Sequence, residues 1–294
     1  MESARAQGMV ELPGVLLSTW EEAGVTITEV SIETEEGAKL LEKPIGKYIT
    51  LECSALRAHS LEAREAAAAL LGEELARLLP QGEGAVLVIG LGNRMVTPDS
   101  IGPKTVEGTL VTRHLYEALP DAVDERMGAV CAISPGVLGI TGVETQEIAK
   151  GVVDHVKPRA VIVVDALAAQ SASRIGATIQ LTDSGIQPGS GVGNHRKALS
   201  AKTLGAPVIA LGVPTVIYAS SLVRDALCGV SGGEHEQTAS HIEQEVQGGA
   251  LGEMIVTPRE VDGIVAEVAR VLSGGINRAL HPGLSEREIR LMME

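Results

Sequence analysis

"AVLVIGLGNRMVTPDSIGPKTVEG", residues 85 to 108, is the stretch whose reading decides the fold. It begins as an uninterrupted apolar run, turns at Gly92 and Asn93, meets the pair Pro98-Asp99 and passes Gly102-Pro103 toward a helical pattern. An apolar run without polar alternation reads as a strand buried on both faces, the habit of parallel sheets whose helical crossovers cover both sides. The unit recurs downstream. A strand over 85–90 is followed by an expected helix at 104–118, a strand at 128–133, a helix at 143–156 and a strand at 160–167, with further strands at 177–183 and 207–213. Strands alternating with helices imply right-handed crossovers, so the expected fold is α/β, a mainly parallel sheet sandwiched by helices.

Upstream the period changes. "VTITEVSI" (25–32) and "KYITLEC" (47–53) alternate apolar and polar residues, which predicts an antiparallel pair at the sheet edge. "SLEAREAAAALLGEELARLL" (60–79) is rich in Ala, Leu and Glu and opens on Ser60, a helix with its cap. Near the end, Thr257-x-x-Glu260 reads as a capping box with Pro258 at the first helical position, and Val261, Ile264, Val265, Val268 and Leu272 form one stripe. The polar, glycine-bounded stretch 231–253 reads as a surface insertion or loop on an otherwise single domain spanning 1–294.

Composition narrows the function classes. Phe is absent and aromatics total 1%, so the core is aliphatic. The net charge of -14, with no dense Lys/Arg run, argues against nucleic acid and anionic lipid as partners. Cys53, Cys131 and Cys228 lie far apart in apolar surroundings and read as reduced core thiols of a cytoplasmic chain. No apolar run approaches the roughly 20 residues of a spanning helix, and the first residues lack a secretory apolar segment.

Ligands of doubly wound sheets bind beyond the carboxyl ends of the strands, which directs attention to the loops after each apolar run. Asp99 lies in the first such loop and Asp165 at the end of "VIVVD". If adjacent strands unite them, repulsion and burial push their pKa values apart, leaving one carboxylate as base and one carboxylic acid as proton donor. That is the equipment for peptide hydrolysis. On spacing alone, a turn role for Asp99 after Pro98 and a helix-cap role for Asp165 is the stronger reading.

Other constellations are weaker. "GLGN" lacks the third glycine of a dinucleotide turn. The Gly-rich "PGSGVGNHRKAL" (188–199), with Gly191, Gly193 and His195, can hold an anion or oxyanion on its N–H groups or can be a tight turn. His235, Glu236 and His241 fall in a solvated stretch, and Ser134 has no nucleophile-elbow context. A metal would need Asp99, Asp165 and a third donor such as His195; no metal or other cofactor is assigned.

Taken in order, "GLGNRMVTPDSIGP", "SPGVLGITGVETQEI", "VVDALAA", "TIQLTDSGIQPGSGVGNHRK", "LGAPVIALGVPTV" and "VTPREVD…GINRALHPG" resemble the spore germination endopeptidase family. The resemblance runs from residue 35 to 283. It implies an α/β/α fold related to the hydrogenase-maturation peptidases and a cytoplasmic endopeptidase of the spore core. That enzyme is a homotetramer that degrades small acid-soluble spore proteins. It also implies that Asp99 and Asp165 are the catalytic pair, with Asn93, Thr97 and Thr182, together with Gly191, Gly193 and His195, in orienting or substrate-positioning roles. Two departures stand out. The family's zymogens carry a propeptide and a "TDLALEA"-like segment that "MESARAQGMVELPGVLLS" does not match, and Tyr218 stands in "GVPTVIYA" where the family usually has an acid. These departures keep a second reading, a metal-binding or catalytically silent relative, beside the enzymatic one.

Overall fold

The computed structural model describes residues 8–293 apart from 120, 122, 190–195, 232–235, 248, 250 and 253. Its frame is a ten-stranded sheet. The strands are β1 (Gly8–Leu12), β2 (Val15–Glu22), β3 (Val25–Ile32), β4 (Gly46–Glu52), β5 (Val86–Gly90), β6 (Val130–Ile133), β7 (Ala160–Ala169), β8 (Thr178–Thr182), β9 (Val208–Tyr218) and β10 (Ile255–Val256). The spatial order is β1-β2-β3-β4-β8-β9-β7-β5-β6, with β10 paired to β9.

The apolar runs read from sequence form the parallel half: β9 with β7, β7 with β5, and β5 with β6. All five positions of β5 are buried, yet its side chains still alternate between faces. Val86 and Val88 join Ile162, Val164, Ile209 and Leu211 under the helices Leu61–Leu78 and Val261–Leu280. Leu87 and Ile89 join Val161 and Val163 under the helix Thr145–Val156 on the other side. The α/β architecture with helices on both faces is therefore the one observed.

The antiparallel portion reaches further than an edge pair. β3 and β4 do pair antiparallel, but β2 and β1 continue the sheet beyond β3, and β4 joins β8, itself antiparallel to β9. Among the described residues three pairings are parallel and six antiparallel, so the sheet is mixed. Tight turns at Pro13-Gly14 and Ala23-Gly24 account for the extra hairpins.

Three local expectations change for identifiable reasons. The helix expected at 104–118 is two, Ile101–Glu107 and Arg113–Ala118. Buried Asn277 inserts between them: its Oδ1 accepts from the Leu110 N–H at 2.9 Å and its Nδ2 donates to the Gly108 carbonyl at 2.9 Å. The capping box at Thr257 does not form, because the Thr257 hydroxyl donates to the Thr215 carbonyl instead, at 2.9 Å, and the last helix starts at Val261. Within 231–253, read as a loop, Glu236–Gln247 is helical, and Glu243 accepts hydrogen bonds from Ser221 and Arg224 of the helix Ala219–Ser231. Cys53 is buried, and Cys131 and Cys228 are half-buried. No helix among the described residues is long and apolar enough to cross a membrane.

Candidate active site

The first parallel strand ends in a backbone contact that leaves no space for side chains. A Cβ on Gly90 would lie 2.2 Å from the Gly102 carbonyl oxygen, so β5 and the helix Ile101–Glu107 touch main chain to main chain. The Leu91 N–H extends the β5–β7 ladder by donating to the Val164 carbonyl at 2.8 Å. The chain then reverses at Gly92, whose φ of +110° is a conformation that favours glycine and whose Cβ would lie 2.0 Å from the Asp99 carbonyl oxygen. Beyond Gly92 the loop folds onto its own carboxylate. The Asn93 N–H donates to Asp99 Oδ2 at 2.7 Å, the Met95 N–H to Asn93 Oδ1 at 3.0 Å, and the Asp99 N–H to the Val96 carbonyl at 2.9 Å.

A second strand holds this loop from the side. β9 carries an irregularity opposite Leu167 and Ala168, which pair with Pro214 and Val216 and leave Thr215 as the extra residue. A bulge of this kind re-aims a side chain, and here the buried Thr215 hydroxyl donates to the Pro98 carbonyl at 2.7 Å. The turn bearing Asp99 is thereby fixed against the strand next to β7.

Asp165 sits on β7 one residue past Val164, the last residue of β7 in register with β5. The cap reading of Asp165 does not hold, since β7 runs on to Ala169 and no helix begins there. Asp165 is only 6% exposed, and its Oδ1 accepts from the Ala166 N–H at 3.0 Å. Burial first, and then the charge of Asp99, push Asp165 up to about 7, against the opposing pull of the Ala166 N–H and of Arg196. Burial also raises the half-buried Asp99, while the Asn93 N–H and Arg196 favour its ionised form. Asp165 feels the charge of Asp99, and both carboxyls feel the Arg196 guanidinium, so burial together with the Asp99 charge favours the protonated form of Asp165.

Asp165 also lines a groove of about 820 Å³. Its floor is Tyr48 and Thr50 of β4, Gln180 and Thr182 of β8, Ala210 and Gly212 of β9, and Asp165 to Ala168 of β7. Its rim is the strap Ser184 to Gln187 with Ala198 and Ser200, held by the paired backbones of Ile186 and Leu199 at 2.9 and 2.8 Å.

The expected positioning residues divide accordingly. Asn93 contacts Asp99 directly through its backbone, Thr97 supplies the carbonyl that Ser100 bonds at 2.8 Å, and Thr182 lines the groove with its hydroxyl 2.9 Å from Ser184 Oγ. Gly191, Gly193 and His195 lie outside the described residues. Tyr218 is beyond the groove, paired with Ile255 of β10. Among the described residues no three His, Cys, Asp or Glu side chains gather as a metal site.

The family model for germination protease matches residues 1–230 and 223–292. This chain belongs to the germination protease family. Membership makes it a protease of spore germination. The germination protease of Caldanaerobacter subterraneus is 43% identical over 96% of this chain and 93% of its own length, and that of Priestia megaterium 40% identical over 92% and 87%. Among solved structures, the NiFe hydrogenase maturation protease HycI of Thermococcus kodakarensis covers 58% of this chain and 97% of its own, at a TM-score of 0.32 and 19% identity.

Two residues of this candidate site are not picked out by reading the sequence. Arg196 follows the Gly-rich stretch, where the glycines draw attention to N–H groups and away from the guanidinium that both carboxylates feel. Thr215 does carry a signal. A proline inside an interior strand, as in "GVPTV", marks a bulge, and the residue after it is the one turned toward Pro98.

Proposed function

We propose that this germination protease is an endopeptidase of small acid-soluble spore proteins in which Asp99 and Asp165 share one proton. The observation that carries the reading is the buried Asp165, which feels the charge of Asp99 and lines a groove. Asp99, more exposed and held by the Asn93 N–H, is the base: it takes a proton from water as the water oxygen bonds to the substrate carbonyl carbon. Asp165 is the acid: it gives its proton to the amide nitrogen as the carbon–nitrogen bond breaks. At the end of the cycle the proton has moved from Asp165 to Asp99, and its return restores the pair. The reading includes a homo-oligomeric enzyme at work in the spore core.

The test is cleavage of a purified small acid-soluble spore protein, followed by mass spectrometry of the fragments. Asp99→Asn and Asp165→Asn are each expected to lower kcat by about 10³-fold or more, the scale of removing a positioned acid or base. Wild-type rates in either variant would remove the mechanism.

A further inference from the structure

We propose that the substrate crosses the sheet from β7 over β9 and β8 to β4, and that the Gln180 carboxamide hydrogen-bonds one of its side chains and so sets specificity. This rests on the reading that Asp99 and Asp165 cut the peptide bond.

The strand registers are the first support. Asp165 pairs with Gly212, Gly212 with Gln180, and Gln180 with Thr50, so these four residues form one row across four strands. Residues in register across a sheet project to the same face, and all four line the groove. Gly212 stands between the carboxyl and the polar residues. A Cβ there would lie 2.4 Å from Leu167 Cδ1, so a glycine keeps the floor low at the crossing.

Next to this row lie Tyr48 and Thr182, which are already engaged. The Tyr48 hydroxyl donates to the Pro44 carbonyl at 2.8 Å and Thr182 Oγ1 is shared with Ser184. The half-buried Gln180 carboxamide makes no hydrogen bond within the described residues, although it faces the groove from an interior strand. An amide left open in such a place has a donor and an acceptor for whatever lies above it.

Distance sets where on the substrate the contact falls. Two strand spacings of about 4.8 Å put Gln180 about 10 Å from Asp165, a span that an extended chain covers in about three residues. The side chain that Gln180 reads is therefore polar, and lies about three residues from the scissile bond.

The experiment uses peptides tiled from a small acid-soluble spore protein, each position randomised in turn, with cleavage read by mass spectrometry. Wild type is expected to favour hydrogen-bonding side chains at one position two to four residues from the cut. In Gln180→Leu that preference should vanish, with kcat/KM for the favoured peptides falling at least about tenfold, while the pH dependence of kcat stays put. Gln180→Met, of similar length, should behave like Gln180→Leu, and matching urea midpoints keep folding out of the comparison. An unchanged profile in both variants overturns the inference while leaving the aspartate pair standing. Full cleavage by Asp99→Asn and Asp165→Asn removes the pair, and the inference with it.

Discussion

Strands β5 and β3 belong to one sheet, yet β5 is buried at every position whereas β3 is fully buried only at Val25, Ile27 and Ile32. The parallel half has helices on both faces, so a carboxyl placed on β7 just past its register with β5 is stripped of water and its proton affinity rises. The half that includes β4 and β8 leaves Thr50, Gln180 and Thr182 partly exposed as an open floor. One half supplies the low-dielectric wall that acid–base chemistry needs, and the other supplies the surface on which a peptide can lie. Asp99 and Asp165, the proposed pair, stand near the seam between them.

The contrast between the halves is tested most severely at the backbone contact after β5. Gly90→Ala puts a carbon against the Gly102 carbonyl, and is expected to cost on the order of 3 kcal/mol or more in urea denaturation, the upper range of overpacking. A loss under about 0.5 kcal/mol would mean that the strand and helix do not meet main chain to main chain. Asn277→Ala is the next largest. It leaves the Leu110 N–H and the Gly108 carbonyl without the partner that ends the helix Ile101–Glu107, and should cost about 1–3 kcal/mol. In the antiparallel half, Thr28→Ala removes a cross-strand hydroxyl contact with Thr19 at 3.4 Å and should change stability by less than about 1 kcal/mol. A cost at Thr28 equal to that at Gly90 would erase the distinction between the halves.

The parallel half was legible because its signal is local. Runs such as "AVLVIG" and "AVIVVDAL" contain the burial in their own composition, and the helix Leu61–Leu78 starts at Ser60 as its cap predicts. The antiparallel half was less legible because strand order is a non-local property. Nothing in "ATIQLTD" says that it lies antiparallel between β4 and β9, and only that placement brings Gln180 into the row with Asp165. The break at Gly108 was invisible for the same reason, since Asn277, which makes it, comes 169 residues later. For the site, Asp99 and Asp165 could be named as candidates from their places after strands, but spacing favoured turn and cap roles. The resemblance of six ordered motifs singled them out, and the structure adds the desolvation of Asp165 and the bulge at Thr215 that steadies the opposite loop.

Burial and the charge of Asp99 push the Asp165 carboxyl up to about 7, and the proposed chemistry depends on both causes. Carbon-13 NMR of protein labelled at the aspartate carboxyls, titrated from pH 3 to 9 in wild type and Asp99→Asn, measures this directly. The Asp165 midpoint is expected near 7 in wild type and should move downward when the Asp99 charge is removed, while burial still holds it above the ordinary carboxylate range. A midpoint in the ordinary range in wild type, or one that does not move in Asp99→Asn, would contradict it.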